Sequence, residues 1–363
     1  MTARTGPTVV AVTGVGAISA AGTTGAELLA AVRAAPTSPR EVELPDDGRG
    51  LPAGVLPDGP LLAVPAAEPD VRELLGRRGV RALNRESRLF GCAGVSAVAG
   101  PGAALGDWEP DRVAVVCGTL NAGLADYVTV LSVGMAEGPE RINPMWGPRS
   151  GFNAPAAQLA ILLGITGPTL ALTSGDAAGL AAICAGAELI ESGRVDQALA
   201  GGVDVISRAA AAALPPGGPP PGEGAAVLVL ENHAEVVARG GRPLATIAGR
   251  AESSTERAER AVRDALAEAR GVTPELAVLD VPEGPAAGAV ARVLADLDEP
   301  VPILRPATVT GRALGADGAF GAAVAALALA DGTAHRTPRG ALCVLAEPGG
   351  RTFAVVLAPP DDR

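Results

Sequence analysis

Apolar residues along this chain fall into short continuous runs separated by longer stretches of helical period, and the alternation is written twice. Thr8–Thr13 alternates as a strand, Ala26–Ala34 follows as a helix, and Arg72–Ala99 regains helical character with Leu83, Leu89, Cys92 and Val95 at core spacing. Asp111–Gly118 (DRVAVVCG) is a further strand, and helices are predicted over Leu124–Ala136 and Ala154–Gly164. Residues 35–70 and the stretch around Asn143–Pro148 carry Pro and Gly without a sustained period, so they read as loop. At the centre, Thr169–Thr173 predicts a strand, Ser174-Gly175-Asp176 an elbow, Ala177–Glu191 a proline-free helix stopping at Gly193, and Gln197–Gly202 a returning strand.

The second half repeats this grammar. Strands are predicted at 225–231, 243–250, 276–281, 301–305, 341–346 and 352–358, with helices at 255–270, 286–296 and 318–331. Alternating strands and helices in two similar halves predict an α/β layered fold. The run PPGGPPPGEG after Leu214 reads as a linker, so the chain is divided into halves 1–221 and 222–363.

Composition narrows the chemistry. With 363 residues, 48% of them hydrophobic, the chain can bury a large core, and a net charge of −11 argues against nucleic-acid or anionic-membrane partners. Cys92, Cys117, Cys184 and Cys343 lie in apolar contexts without CxxC spacing, which predicts buried thiols in a reducing compartment and no metal site. No run has signal-peptide or membrane-spanning character, so a cytoplasmic location is expected. Lysine is absent altogether, which removes Schiff-base and lysine general-base chemistry. The strand followed by Gly14-Val15-Gly16 lacks the third fingerprint glycine, since position 19 is Ser19; no dinucleotide or other cofactor is expected.

A strand-to-helix elbow is a place where folds expose a nucleophile beneath backbone N–H groups. Here that residue is Asp176. Counted back from Gly201-Gly202, the stretch resembles the T-A-C-A-S-G elbow of the β-ketoacyl synthases, with Asp176 where the cysteine belongs and Gly179 on the family glycine. The opening VTGVGAIS and the segment Gly222-Glu223-Gly224-Ala225 resemble the same family. Ser174-Gly175-Asp176-Ala177-Ala178-Gly179-Leu180 is most similar to the S-x-Q-A-G-G-L of chain length factors, the non-condensing partners of ketosynthases in type II polyketide synthases. The resemblance implies a thiolase-like fold, with duplicated βαβαβ halves in a five-layered α-β-α-β-α core.

Condensation in that family needs a cysteine and two histidines. The resemblance puts Glu283 at the first histidine, Arg312 of Thr310-Gly311-Arg312 at the second, and Ala307 at the family lysine. The chain's own histidines, His233 and His335, fall at neither position and read as surface residues. Asp176, Glu283 and Arg312 fit two readings: a buried ion network with Asp176 capping the following helix, or an acid–base pair with an arginine clamp. A decarboxylase role is disfavoured by the missing histidines.

In chain length factors, the resemblance implies, a helix lines an acyl tunnel at the heterodimer interface. The matching gate positions are Leu124, Tyr127 and Leu131, which at i, i+3, i+7 share one face. The same spacing fits an ordinary core stripe. Tyr127 is the single tyrosine of the chain, bulky enough to stop a growing acyl chain. The expectation is therefore a chain-length-factor subunit that pairs with a condensing ketosynthase, meets acyl carrier protein through the complex, and uses an interface of Leu, Val, Ala and Met. The alternative is a free-standing thiolase-fold enzyme for acyl transfer or decarboxylation using Asp176, Glu283 and Arg312.

Overall fold

The structure is a computed structural model that describes residues 8–34, 36–44, 55–56, 59–76, 80–100, 103, 108–214, 219–297, 299–331, 339–347 and 349–360. Twelve strands are defined among them: β1 (Val10–Ile18), β2 (Arg40–Val42), β3 (Leu61–Ala63), β4 (Val113–Gly118), β5 (Thr169–Leu172), β6 (Gln197–Asp204), β7 (Gly224–Asn232), β8 (Ala245–Ser254), β9 (Leu276–Asp280), β10 (Ile303–Leu304), β11 (Ala341–Ala346) and β12 (Arg351–Ala358). β2 and β3 make a small antiparallel pair inside the segment expected to be loop. The other ten form one mixed sheet in the order β10-β9-β11-β12-β8-β1-β7-β6-β4-β5.

That order is a repeat. β5, β4 and β6 are parallel neighbours, followed by antiparallel β7 and β1; β10, β9 and β11 are parallel, followed by antiparallel β12 and β8. The two five-stranded halves meet where Val10–Val12 of β1 pair with Ala245–Ile247 of β8. The strand after the Pro/Gly run, β7, thus completes the first half-sheet, and the repeat divides between Asn232 and Ala245 rather than at 221/222. Pairing with β1 and β6 sets its allegiance, which a linker-like composition cannot show.

Side-chain alternation sorts each strand into two faces. Ala198 and Ala200 of β6 and Leu228 and Leu230 of β7 join a central core, together with Cys343 and Leu345 of β11. Their neighbours Leu199, Val227 and Val229 pack outward against helices Arg85–Val98 and Ala154–Leu163. On the other half-sheet, Leu342, Val344 and Val356 pack outward against helices Ala258–Glu268 and Pro285–Ala295. The central core is filled by two helices, Ala178–Glu191 and Asp317–Ala330. Helix, half-sheet, helix pair, half-sheet, helix: these are the five layers.

Sequence explains which helix goes where. Asp317–Ala330 (DGAFGAAVAALALA) has no polar face beyond its first residue, and a helix apolar all round must be buried on all sides. Its residue Phe320 is fully enclosed, a burial that contributes about 3 kcal/mol. Ala258–Glu268 (AERAVRDALAE) buries only Ala258, Ala261, Val262 and Ala265, one stripe, and so takes an outer layer.

Two glycine pairs set close approaches. β1 continues, past a register shift between Val12 and Gly14, through Gly14-Val15-Gly16, which the sequence placed after the strand; a Cβ on Gly16 would lie 1.9 Å from the Ala93 carbonyl oxygen. The motif is there to let helix Arg85–Val98 lie on β1. At the centre, a Cβ on Gly179 would stand 2.5 Å from the Gly315 carbonyl oxygen and one on Gly202 would stand 2.3 Å from it, so both glycines let the elbow helix and the second half touch.

Candidate functional site

The elbow forms as expected, with one change in its first turn. β5 lies parallel to β4, Gly175 takes φ +66, and a 3-10 turn over Gly175–Ala177 leads into the helix that starts at Ala178. Asp176 does not cap this helix. Ala177 holds the cap position without a side-chain bond, and the Asp176 carboxylate turns instead to Arg312. Arg312 Nε and Nη2 both donate to Asp176 Oδ2, at 3.1 and 2.7 Å, with the carboxylate side chain only 12% exposed.

The second half delivers Arg312 on a braced turn. Its N–H donates to the Pro220 carbonyl at 2.9 Å, and its own carbonyl accepts from the Gly222 N–H at 2.8 Å. The Pro/Gly run therefore clamps the arginine of the site.

More carboxylates gather here than the sequence pointed to. Burial pushes Asp280, at the end of β9, up to about 6; the negative charge of Asp176 adds to this, and Arg312 and Arg305 oppose it. Asp317, the buried first residue of the central helix, accepts the Ala313 N–H at 2.9 Å; burial holds it well above the usual carboxylate range, and Asp280 and Asp176 add to the shift. Burial, followed by the charge of Asp176, raises Glu347 too. Glu283 is not part of the group. It is exposed on the turn before helix Pro285–Ala295, and among the described residues no hydrogen bond or ion pair joins it to Asp176 or Arg312.

At the nucleophile position the arrangement is an ion pair. A nucleophile needs a free lone pair and nearby N–H donors to receive the oxyanion. Here Oδ2 of the carboxylate is held by a guanidinium. Among the described residues, no group of acids, histidines and cysteines has metal-holding geometry.

A structural carboxylate beside the elbow went unsingled in the sequence. Asp204, fully buried at the end of β6, accepts from Thr119 Oγ1 at 2.7 Å and from the N–H groups of Leu120, Asn121 and Gly315 at 2.8–2.9 Å. Burial lifts it to about 6 despite the four donors. A charged residue closing an apolar strand two positions after Gly201-Gly202 was the available signal.

The gate positions lie on helix Leu124–Glu137, and they are not a core stripe. Leu124 is partly buried, Tyr127 is 50% exposed and Leu131 45%. Of thirteen large apolar side chains exposed among the described residues, eight fall between 120 and 170, including Met135, Met145, Phe152, Ile161 and Leu170. Leu170 is on β5, whose outer edge has no strand partner among the described residues. Exposed apolar area is therefore concentrated on one part of the chain, and it includes Tyr127 and Phe152 beside the aliphatics expected there.

His233 is not a plain surface residue. It opens helix His233–Ala238 partly buried, and its Nε2 is enclosed without a hydrogen-bond partner. His335 lies outside the described residues. The four cysteines are free; Cys92, Cys117 and Cys343 are buried and Cys184 partly so. Burial pushes the thiols of Cys92, Cys184 and Cys343 up to about 12, so they are inert. No helix among the described residues is long and apolar enough to cross a membrane.

The profile of the β-ketoacyl synthase N-terminal domain matches residues 8–214, more than half of the chain. The chain belongs to the β-ketoacyl synthase family. Among curated relatives, 3-oxoacyl-[acyl-carrier-protein] synthase 2 of Vibrio cholerae serotype O1 is 26% identical over 203 residues, 50% of this chain and 49% of that protein. Nodulation protein E of Rhizobium leguminosarum bv. trifolii is 30% identical over 161 residues, 37% and 40% of the two chains. The chain thus spans about half the length of the curated relatives it matches. Solved structures are similar over 98% of this chain and the whole of theirs. They include the ishigamide ketosynthase/chain length factor, at TM-score 0.82 and 23% identity. A β-ketoacyl synthase from Burkholderia phymatum STM815 gives 0.77 and 21%. AntDE:AntF, a type II polyketide acyl carrier protein in complex with its ketosynthase bound to the hexaketide, gives 0.77 and 18%. They share the thiolase-like fold expected from the resemblance.

Proposed function

We propose that this family member is a non-condensing, chain-length-factor subunit of a type II polyketide synthase. It pairs with a condensing ketosynthase and shapes the tunnel in which the partner's acyl chain grows. The observation that carries the reading is the Asp176–Arg312 contact, which fills the nucleophile position with an ion pair. A subunit without a nucleophile acts by shape, and the exposed segment from Leu120 to Leu170 supplies a surface for it. The unpaired edge of β5 offers backbone N–H and C=O groups to a partner strand, with apolar side chains around it. Acyl carrier protein is met through the complex. The free-standing enzyme built on Asp176, Glu283 and Arg312 loses support, because only two of the three residues meet.

Native mass spectrometry after co-expression with the ketosynthase encoded nearest to this chain tests the pairing. A one-to-one heterodimer is expected, with an acyl label on the partner's cysteine and none on this chain. A homodimer that ignores the ketosynthase and turns over a thioester unaided would refute the assignment.

Tyr127→Ala tests the gate. Half-exposed in the isolated chain, the ring is free to face a partner, and trimming it should lengthen the product by one or more extension units with heterodimer formation intact. Products of unchanged length would remove Tyr127 from the gate.

A further inference from the structure

Helix Leu124–Glu137 stands apart from the other long helices. It is one of four with 14 residues, and the other three are well anchored: Arg85–Val98 buries ten of its residues, Ala178–Glu191 nine and Asp317–Ala330 twelve. Leu124–Glu137 buries only Ser132 and Val133. It begins and ends on glycines of positive φ, Gly123 at +77 and Gly138 at +97, and no side chain caps its first turn. Thr129 Oγ1 donates back to the Ala125 carbonyl at 2.9 Å, a bond that slightly destabilises a helix from within. Few buried contacts and uncapped ends place a segment at the low end of local stability.

Behind this helix the protein is not close-packed. A cavity of about 820 Å³ opens between it, helix Arg85–Val98 and the segment following β6. Ala125 and Thr129 line the cavity; at 3.6 residues per turn they lie on the side of the helix roughly opposite Tyr127. The first turn is tied to the cavity wall, where Asp126 receives Arg149 at 2.8 Å and the Asn84 amide at 3.2 Å. The wall also carries Arg85, Glu223 and Trp146, and a cavity lined by charged groups is room for water. A helix pushed against a close-packed core meets atoms that cannot give way, whereas one pushed toward this cavity displaces only solvent.

We infer that helix Leu124–Glu137 is a yielding wall, displaced toward the cavity when an acyl chain presses on its Tyr127 face, and that Ala125 and Thr129 behind it are length-determining positions. This rests on the chain-length-factor reading, which puts the growing chain against Leu124, Tyr127 and Leu131. A rigid wall stops a chain where the bulk of its gate residues dictates. A wall with room behind it stops the chain where that room runs out, so the depth of the cavity enters product length alongside the size of Tyr127.

Hydrogen exchange on the full, unpartnered chain tests the yielding. Amides of 124–137 should exchange about tenfold faster or more than those of 85–98. Thr129→Phe puts a ring into the cavity at nearly unchanged helix propensity and should slow the exchange of 124–137 roughly threefold. Co-expressed with the ketosynthase, the same variant should shorten the product by one or more extension units with Tyr127 in place. Exchange as slow as in 85–98, or exchange that Thr129→Phe leaves unchanged, would overturn the inference. So would products of unchanged length from Thr129→Phe while Tyr127→Ala lengthens them, a result that leaves the gate itself standing. If neither variant alters length, the gate reading fails and the inference falls with it. Should Thr129→Phe fail to fold, Ala125→Leu fills the cavity from the preceding turn and takes its place.

Discussion

Replacing Asp204 with alanine is expected to cost the protein about 4 kcal/mol or more, a large part of its stability. The carboxylate is the shared acceptor of four donors, one hydroxyl and three backbone N–H groups. Thr119, Leu120 and Asn121 are the turn between β4 and helix Leu124–Glu137, whereas Gly315 belongs to the second half-sheet's approach to the central helix. Removing the acceptor strands these donors in a region without solvent, at about 1–3 kcal/mol for each group left unsatisfied. Even with water entering the gap, a loss of about 4 kcal/mol or more is expected, against a total stability of about 5–15 kcal/mol. Asp204→Asn should be intermediate, because one of its two polar atoms is itself a donor facing donors. Urea unfolding, or the soluble fraction on expression, reads the effect. An alanine variant within about 1 kcal/mol of the wild type would mean that Asp204 does not hold the two halves together.

Much of this architecture was legible from periodicity, because periodicity reports which faces are buried. The helices expected at 255–270 and 318–331 form as Ala258–Glu268 and Asp317–Ala330. The elbow and the Thr310-Gly311-Arg312 turn were visible as motifs, and their ion pair was one of the two arrangements the residues fit. What escaped depends on long-range partners. Asp176 looked like a helix cap because nothing local shows Arg312, 136 positions away, reaching for it. Asp280, Asp317 and Glu347 come from three separate elements of the second half, and only the layering brings them to one place. Glu283 occupied the right place in a motif and the wrong place in space, exposed on its turn. The Pro/Gly run looked like a linker, yet Pro220 and Gly222 bind both backbone groups of Arg312. Composition describes a segment's freedom; its hydrogen bonds decide its role.

That ion network gives the other large expected effect. Arg312→Met should destabilise the protein by about 3–5 kcal/mol at pH 8, the usual cost of removing one member of a buried pair. The loss should shrink steadily as the pH falls. Burial raises Asp280 and Asp204 to about 6, Glu86 to about 7 and Asp317 well above its ordinary value. Over the window from about pH 4, where the unfolded carboxyls titrate, to about pH 7, the folded state therefore holds protons that the unfolded state has released. More protons bound in the folded state means that stability falls as pH rises, so these groups make the wild type more stable at pH 5.5 than at pH 8. In Arg312→Met the opposing cation is gone, the slope steepens, and wild type and variant converge toward pH 5 as the cluster takes up protons. Thermal melts of both chains across pH 5–8 measure this directly. Parallel curves, with a gap independent of pH, would show that Arg312 acts through packing and not through its charge. Adding Asp176→Leu to Arg312→Met should recover part of the loss at pH 8, because an apolar pair leaves one fewer buried charge uncompensated. That recovery would come without any gain of condensing activity, since the elbow would then carry neither a nucleophile nor an acid.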